Sequence, residues 1–153
     1  MCNFTVQKKL APPKYVSSIT GQELVPLLQT QFGVDCDLSI GDARFMITTD
    51  AEILRFLKWY KDPNLYIADE YDCDKFAWLM RAAAITWSHG KLPFGYLVGT
   101  GNMERGKHWF GCHAWNFTIN ERHEIKFCDE LGVAAPKDRL EPAFKITAHS
   151  LDI

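Results

Sequence analysis

Two side chains of this 153-residue chain have the types and spacing that a thiol reaction requires. Cys73 begins a helix-patterned segment, and His113 follows about forty residues later in a strand-like run. The positive end of a helix dipole favours a thiolate, and an imidazole can hold or transfer the thiol proton. The pattern therefore predicts a thiol hydrolase, with Cys73 as nucleophile and His113 as base.

A carboxylate follows His113 on the next predicted strand. If the two strands pair through a three-residue turn, Asp129 faces His113. A five-residue loop moves Asp129 opposite Trp115, where it is still a diagonal neighbour of His113. Glu130 alternates away from that face unless a bulge re-aims it. The sequence thus predicts Asp129, with Glu130 as the alternative, as the group that orients the imidazole.

Carboxylates crowd the predicted nucleophile. Asp72 and Asp74 flank Cys73, and Asp69 and Glu70 precede them. Negative neighbours raise the pKa of a thiol and oppose thiolate formation, and a bound divalent cation would neutralise them. Oxygen ligands of this kind suit calcium, so these four acidic residues are the predicted metal ligands. Equally, Asp72 has the type and position of a simple helix cap.

Composition and charge limit the function classes. The chain is 47% hydrophobic and 24% charged, with a net charge of −2, which is typical of one globular domain over 1–153. This charge argues against nucleic acid as a partner, and no membrane span or signal peptide is expected. The five cysteines are odd in number and form no Cys-x-x-Cys pair, which predicts a reducing cytoplasmic location.

Hydrophobic periodicity predicts helices in the first half of the chain and strands in the second. Residues 1–18 are interpreted as an extended lead-in, and capping boxes open helices at Thr20 and Thr49. A third helix is predicted over 72–88. Strands are predicted over 42–47, 94–99, 109–119, 123–129 and 143–148. The expected fold class is α+β, with N-terminal helices packed on a C-terminal antiparallel sheet.

Four segments together resemble a known family. They are Asp42-Ala43-Arg44-Phe45, Ile53-Leu54-Arg55-Phe56-Leu57, Tyr71-Asp72-Cys73-Asp74-Lys75-Phe76-Ala77 and His113-Ala114-Trp115-Asn116. They are similar to the C-terminal protease domain of the Marasmius oreades agglutinin family. Stand-alone relatives of that domain, the agglutinin-related lectin-like proteins, occur in bacteriophages and bacteria. The resemblance spans roughly residues 17–131.

The resemblance implies a papain-like fold and a calcium-dependent cysteine protease acting on peptides or proteins. The family nucleophile corresponds to Cys73 and its base to His113, and either Asp129 or Glu130 takes the place of the third member. A phage origin would also admit the host cytoplasm or the virion as locations. Lys75 stands where relatives commonly carry an aspartate, and this replacement would weaken a calcium site.

Two alternatives remain open at the level of sequence. The first is a non-catalytic binding or structural protein of phage type that retains the fold without turnover. The second is a thiol transferase of transglutaminase type that uses the same three side chains. The oligomeric state is not determined by the sequence.

Overall fold

The structure, a computed structural model, describes residues 9–33, 37–60, 72–101, 112–131, 140–142 and 146–153. Three helices lie within these ranges: α1 (Gly21–Phe32), α2 (Asp50–Trp59) and α3 (Cys73–Ser88). The strands are β1 (Tyr15–Thr20), β2 (Asp37–Ser39), β3 (Arg44–Thr48), β4 (Gly95–Gly101), β5 (His113–Ile119), β6 (Ile125–Cys128), β7 (Glu141–Pro142) and β8 (Ile146–Asp152).

The strands form two sheets. β1 and β3 pair antiparallel in a two-stranded sheet, and the other six strands form a sheet in the order β2-β8-β4-β5-β6-β7. Neighbours in the larger sheet are antiparallel except for β2 and β8, which are parallel. The strand that carries His113 therefore lies inside the sheet, with β4 on one side and β6 on the other.

The helix starts follow local capping chemistry. Thr20 accepts a hydrogen bond from the Glu23 N–H, and the Glu23 carboxylate accepts one from the Thr20 N–H, which completes a capping box. Thr49 caps α2 through the Glu52 N–H. Both predicted helix starts are confirmed, because these bonds depend only on residues three positions apart.

Apolar clusters lie on both faces of the sheet around β5. On one face, Trp115 and Phe117 pack with side chains of α1, β1 and β3. The other cluster joins α2 and α3 with Phe94 and Cys128. Every residue of β5 is buried. A polar side chain on either face of this strand is therefore shielded from water and depends on the protein for hydrogen bonds.

The predicted arrangement of helices before an antiparallel sheet was wrong. The chain begins with a strand, β1 and β3 bracket α1, and β2 crosses from the first half to pair in parallel with the last strand. The architecture is a mixed α/β one with two sheets. The parallel pairing joins segments more than a hundred residues apart, and period-two alternation within one segment carries no information about such a partner.

Part of the predicted extended lead-in over 1–18 forms regular structure. Tyr15–Thr20 forms β1, while residues 1–8 lie outside the described residues. Half-exposed edge strands of this kind give a weak hydrophobic pattern, which is why no strand was predicted there. On α3, Leu79 is 43% exposed.

Across the described ranges, no helix combines the length and the apolar character that a bilayer-spanning segment needs.

We expect Gly95→Ala to destabilise the protein. A Cβ at position 95 would overlap ring atoms of Phe117, whose side chain is fully buried. Overpacking of this kind should lower the free energy of unfolding by about 1–3 kcal/mol, measurable by urea denaturation. Gly41→Ala is the control, since a Cβ there makes only an ordinary contact at 3.6 Å from the Ile153 carbonyl oxygen. Equal midpoints for the two variants would contradict the described packing of β4 on β5.

Candidate functional site

Cys73 is the first residue of α3, and its thiol faces strand β5. The sulfur accepts main-chain hydrogen bonds from the N–H groups of Ala114 and Asp74. Asp72 occupies the N-cap position in an extended conformation, but its side chain makes no capping bond. The start of the helix thus places the thiol next to the residue that follows His113.

Asn116 fixes α3 on the sheet. Its buried side-chain amide donates to the Ala77 carbonyl at 3.0 Å and to the Gly95 carbonyl at 3.1 Å. One side chain on β5 therefore ties the first turn of α3 to β4. Alternation along β5 puts Asn116 on the face opposite His113. In the structure α3 packs on that face, and Asn116 bonds to it.

His113 and Asp129 form a buried pair. The distance from His113 Nε2 to Asp129 Oδ2 is 3.0 Å, and the two residues are 4% and 3% exposed. Asp129 also accepts a bond from the Leu131 N–H at 2.9 Å through its other oxygen. The imidazole stacks on Trp115, with ring centroids 5.5 Å apart. The carboxylate and the aromatic ring together hold the imidazole in one orientation.

The hairpin register matches the second of the two predicted alternatives. Ile119 pairs with Ile125 and Phe117 with Phe127, so the β5–β6 connection is a five-residue loop. Extending that register places Asp129 opposite Trp115 and diagonal to His113. Glu130 follows in the turn after β6. The catalytic roles assigned to these residues stay predictions.

The environment of Cys73 raises the pKa of its thiol. Burial is the main cause, and the negative charges of Asp72 and Asp74 add to it, while the Ala114 and Asp74 N–H groups partly offset them. At neutral pH the thiol is therefore the dominant form. This is the effect expected of flanking aspartates, and it outweighs the helix start, which was expected to favour the thiolate.

The ammonium group of Lys75 lies between the carboxylates of Asp72 and Asp74 in space. Lys75 Nζ lies 3.2 Å from Asp72 Oδ1 and 3.5 Å from Asp74 Oδ1. The ammonium group already supplies the positive charge for which a cation was predicted, so this pair alone does not fit a calcium site. No group of three or more metal-ligating side chains occurs in the described part of the chain, and Asp69 and Glu70 lie outside it. Calcium binding stays a prediction.

An exposed aromatic surface adjoins the thiol, and sequence reasoning did not find it. We define the aromatic surface as Trp78, Arg81, Tyr96 and Asp152. The rings of Trp78 and Tyr96 are 5.4 Å apart, the guanidinium of Arg81 lies 5.9 Å from the Trp78 ring, and Arg81 Nη1 is 2.6 Å from Asp152 Oδ2.

Trp78 was expected in the core but is 51% exposed. The buried residues of α3 include Phe76, Met80, Ala84 and Trp87, a stripe that position 78 does not join. The spacing of that stripe was the available signal. Tyr96 connects the aromatic surface to the thiol, because its pKa is raised by burial first and then by the nearby Asp74, Cys73 and Cys112.

Two other cysteines differ sharply in environment. Cys112 is exposed and immediately precedes His113, whereas Cys128 is fully buried between the sheet and the helices. Burial raises the pKa of Cys128 well above its usual range. The alternation of the strands puts both on the face opposite His113, which predicts a packing role for Cys112. Cys112 is exposed instead, whereas Cys128 packs in the cluster that joins α2 and α3.

The chain is similar in fold to solved structures, two of which are described. One is a complex of PSL1a with E64, at 16% sequence identity and a TM-score of 0.66. Another is Polyporus squamosus lectin bound to the human-type influenza-binding epitope Neu5Aca2-6Galb1-4GlcNAc, at 16% identity and a TM-score of 0.64. Each match covers 89% of this chain.

This chain spans about half the length of the lectin structures, 50% of one and 49% of the other. No family model matches the chain, and no curated protein does. At this level of identity the likeness defines the fold, which is one that occurs within part of the lectin.

These matches correct the predicted identity. One matched structure carries the name of a lectin and neither carries that of a protease, so the expected Marasmius-type protease domain, its papain-like fold class and its phage origin are not supported. The predicted cysteine hydrolase with a peptide or protein substrate was wrong for the same reason. The error arose because Asp-Cys-Asp and His-Ala-Trp-Asn describe a local geometry, and a local geometry does not define an activity.

We expect Cys73 to react more slowly with iodoacetamide than an ordinary thiol at pH 7.5, because its pKa is raised. Asp74→Asn should increase the rate of Cys73 labelling, since it removes a negative charge but keeps the N–H that donates to the sulfur. Peptide mass spectrometry over pH 6–10 measures the rates, and Cys112 in the same sample is the internal control. A rate at Cys73 that Asp74→Asn leaves unchanged would contradict this electrostatic account.

Proposed function

We propose that this chain is a ligand-binding module that works without turnover, and that its ligand is a carbohydrate. The observation that carries the proposal is the aromatic surface of Trp78, Arg81, Tyr96 and Asp152 beside the start of α3. Support for the ligand class comes from the matched lectin, whose complex contains a sialylated trisaccharide. Because this chain spans only half of that lectin, the activity is proposed from the surface itself.

The aromatic surface has the chemistry that a sugar requires. An exposed indole offers a flat apolar face to the C–H groups of a pyranose ring, and Tyr96 widens it with a phenol that also carries a polar group. Arg81 and Asp152 supply planar donors and acceptors at the edge, where sugar hydroxyls would lie. Arg81 is largely buried and holds Asp152 through Nη1, which fixes both polar groups at the edge of the aromatic surface.

The thiol beside this surface is described better as a binding group than as a nucleophile in turnover. Its pKa is raised by burial and by two aspartates, so little thiolate forms at neutral pH. Lys75 neutralises Asp72 and Asp74 but forms ion pairs with them, and it is not among the causes that lower the thiol pKa. The polar and charged groups at the start of α3 therefore form one edge of the aromatic surface.

We expect the chain to bind Neu5Aca2-6Galb1-4GlcNAc or its parent disaccharide Galb1-4GlcNAc, measured by saturation-transfer NMR and titration calorimetry. Trp78→Ala should weaken binding at least tenfold, which corresponds to about 1.4 kcal/mol, because the stacking face is lost. Leu79→Ala is the matched control, since Leu79 is comparably exposed on the same helix but lies outside the aromatic surface. Both variants are first checked for an unchanged melting temperature.

The same titration distinguishes two forms of recognition. If the sialylated sugar binds more tightly than the disaccharide and Arg81→Gln removes the difference, the guanidinium reads the sialic carboxylate. If neither sugar binds the wild-type protein, or if Leu79→Ala is as damaging as Trp78→Ala, the carbohydrate proposal fails.

A second candidate function is covalent capture of a ligand by the thiol, and a specific arrangement favours it. Cys73 contacts the main chain of Ala114, next to the buried His113–Asp129 pair. One of the matched structures also contains the small molecule E64. We propose Cys73, His113 and Asp129 as the residues of this second site, with Glu130 as the alternative carboxylate.

Incubation with E64 tests the second candidate, because a covalent adduct adds the ligand mass to one peptide. If the candidate is right, the adduct is found on Cys73, and His113→Ala lowers its rate of formation at least tenfold. Cys112→Ser is the matched control and should leave the rate unchanged. An adduct spread over several cysteines, or no adduct, would exclude Cys73 as a capture site.

We also propose a reducing compartment such as the cytoplasm as the location. Cys73, Cys112 and Cys128 are all free thiols in the structure, and an exposed thiol such as Cys112 persists best where disulfides are reduced.

A further inference from the structure

We propose that Cys73 and Cys112 are a redox-sensitive pair that forms a reversible disulfide across the start of α3. The pair would be a modification site at the start of α3, linked on mild oxidation. The inference does not rest on the proposed function, since it concerns only these two thiols and the elements that carry them.

The first observation is that α3 and β5 run in the same direction. Ala114 donates to the Cys73 sulfur, and two residues further along the strand Asn116 donates to the Ala77 carbonyl, one helical turn after Cys73. Residue numbers therefore increase in the same direction along the strand and along the helix. Moving back from Ala114 by two residues, roughly 7 Å of extended chain, brings the strand to Cys112 at the open end of the helix.

The second observation concerns the side on which Cys112 lies. Successive side chains of a strand alternate, so position 112 shares a face with Ala114 and Asn116, the face that α3 covers. Cys112 is nevertheless exposed, while Ala114 and Asn116 are buried. The difference follows if the strand has passed the end of α3 at position 112, which leaves the Cys112 thiol beside Cys73 and open to solvent.

The third observation is a shared neighbour. The side chain of Tyr96 lies on the same face of the sheet as Asn116, its partner in the β4–β5 ladder. Both Cys73 and Cys112 act electrostatically on the Tyr96 hydroxyl, and both raise its pKa. Both thiols therefore lie near the Tyr96 hydroxyl, at the end of β5 where the strand begins.

Oxidation requires a partner, and glutathione disulfide supplies it. The exposed Cys112 thiolate attacks one glutathione sulfur and releases one glutathione as thiolate. The Cys73 thiolate then attacks the Cys112 sulfur of the mixed disulfide and releases the second glutathione. Two protein thiols are oxidised, one glutathione disulfide is reduced, and the two protons pass to the glutathione thiolates.

The environments set this order of steps. Cys112 is accessible to the oxidant, while Cys73 is half-buried beside two aspartates. Resolution by Cys73 is therefore the slow step, and it should accelerate as the pH rises and more thiolate forms. Cys128 is fully buried between the sheet and the helices, so it is not expected to take part.

The test uses the full chain, equilibrated with glutathione mixtures of increasing oxidised fraction and quenched in acid. Trypsin places the three described cysteines in separate peptides, bounded by Lys61 and Lys75, by Lys107 and Arg122, and by Lys126 and Lys137. We expect the intact mass to fall by two hydrogens. We also expect the first two of these peptides to be linked in the non-reduced digest, and dithiothreitol to separate them.

Three variants make the test decisive. In Cys112→Ser and in Cys73→Ser, no loss of two hydrogens is expected, and the remaining thiol should carry a single glutathione. Cys2→Ser is the matched control and should still form the linked peptide to the wild-type extent. Circular dichroism confirms that each variant is folded before oxidation.

Two results would overturn the proposal. One is a wild-type protein in which Cys73 and Cys112 each carry glutathione without linking. The other is a linked peptide that joins either of them to a different cysteine. The oxidised wild type should also lose iodoacetamide labelling of Cys73 at least tenfold and regain it on reduction.

Discussion

The structure depends on the burial of β5 on both of its faces. Trp115 and Phe117 fill the cluster under α1 and the two-stranded sheet, while Asn116 faces α3 and bonds to Ala77 and to β4. A buried amide without partners would cost about 1–3 kcal/mol, so Asn116 admits few positions of the helix. The packing position of α3 on this strand, and therefore the position of Cys73, follows from that requirement.

The packing of α3 on β5 also determines the pKa of the Cys73 thiol. Cys73 contacts the main chain of Ala114 and is half-buried. Asp72 and Asp74 flank it, so their negative charge adds to the effect of burial on the thiol pKa. Both causes raise the thiol pKa, and two main-chain N–H groups offset them only in part. A cysteine at a helix start is therefore not sufficient for an activated nucleophile, since burial and neighbouring charge can outweigh the helix dipole.

The aromatic surface arises from the exposed side of the same helix. Once Phe76 and Met80 are buried, Trp78 must face outward, where the ring of Tyr96 and the guanidinium of Arg81 contact it. Arg81 is held in turn by Asp152 on β8, so the surface draws on a helix and two strands. An indole held in this way keeps a fixed face toward solvent, which is the property that a sugar-binding platform requires.

The sequence by itself determined the local features: the capping box at Thr20, the side-chain cap at Thr49, the helix after Cys73, and the alternation that places His113 and Asp129 on one face. These depend on residues a few positions apart, within reach of a hydrogen bond or of the pleat of a strand. Two hairpin registers remained possible on alternation alone, and the five-residue loop was selected by pairing. Only the tertiary structure decided that β2 joins β8 in parallel, that Trp78 is exposed while Cys128 is buried, and that Lys75 lies between two aspartates. These outcomes depend on which distant segments share a surface, and hydrophobic spacing within one segment does not specify its partner.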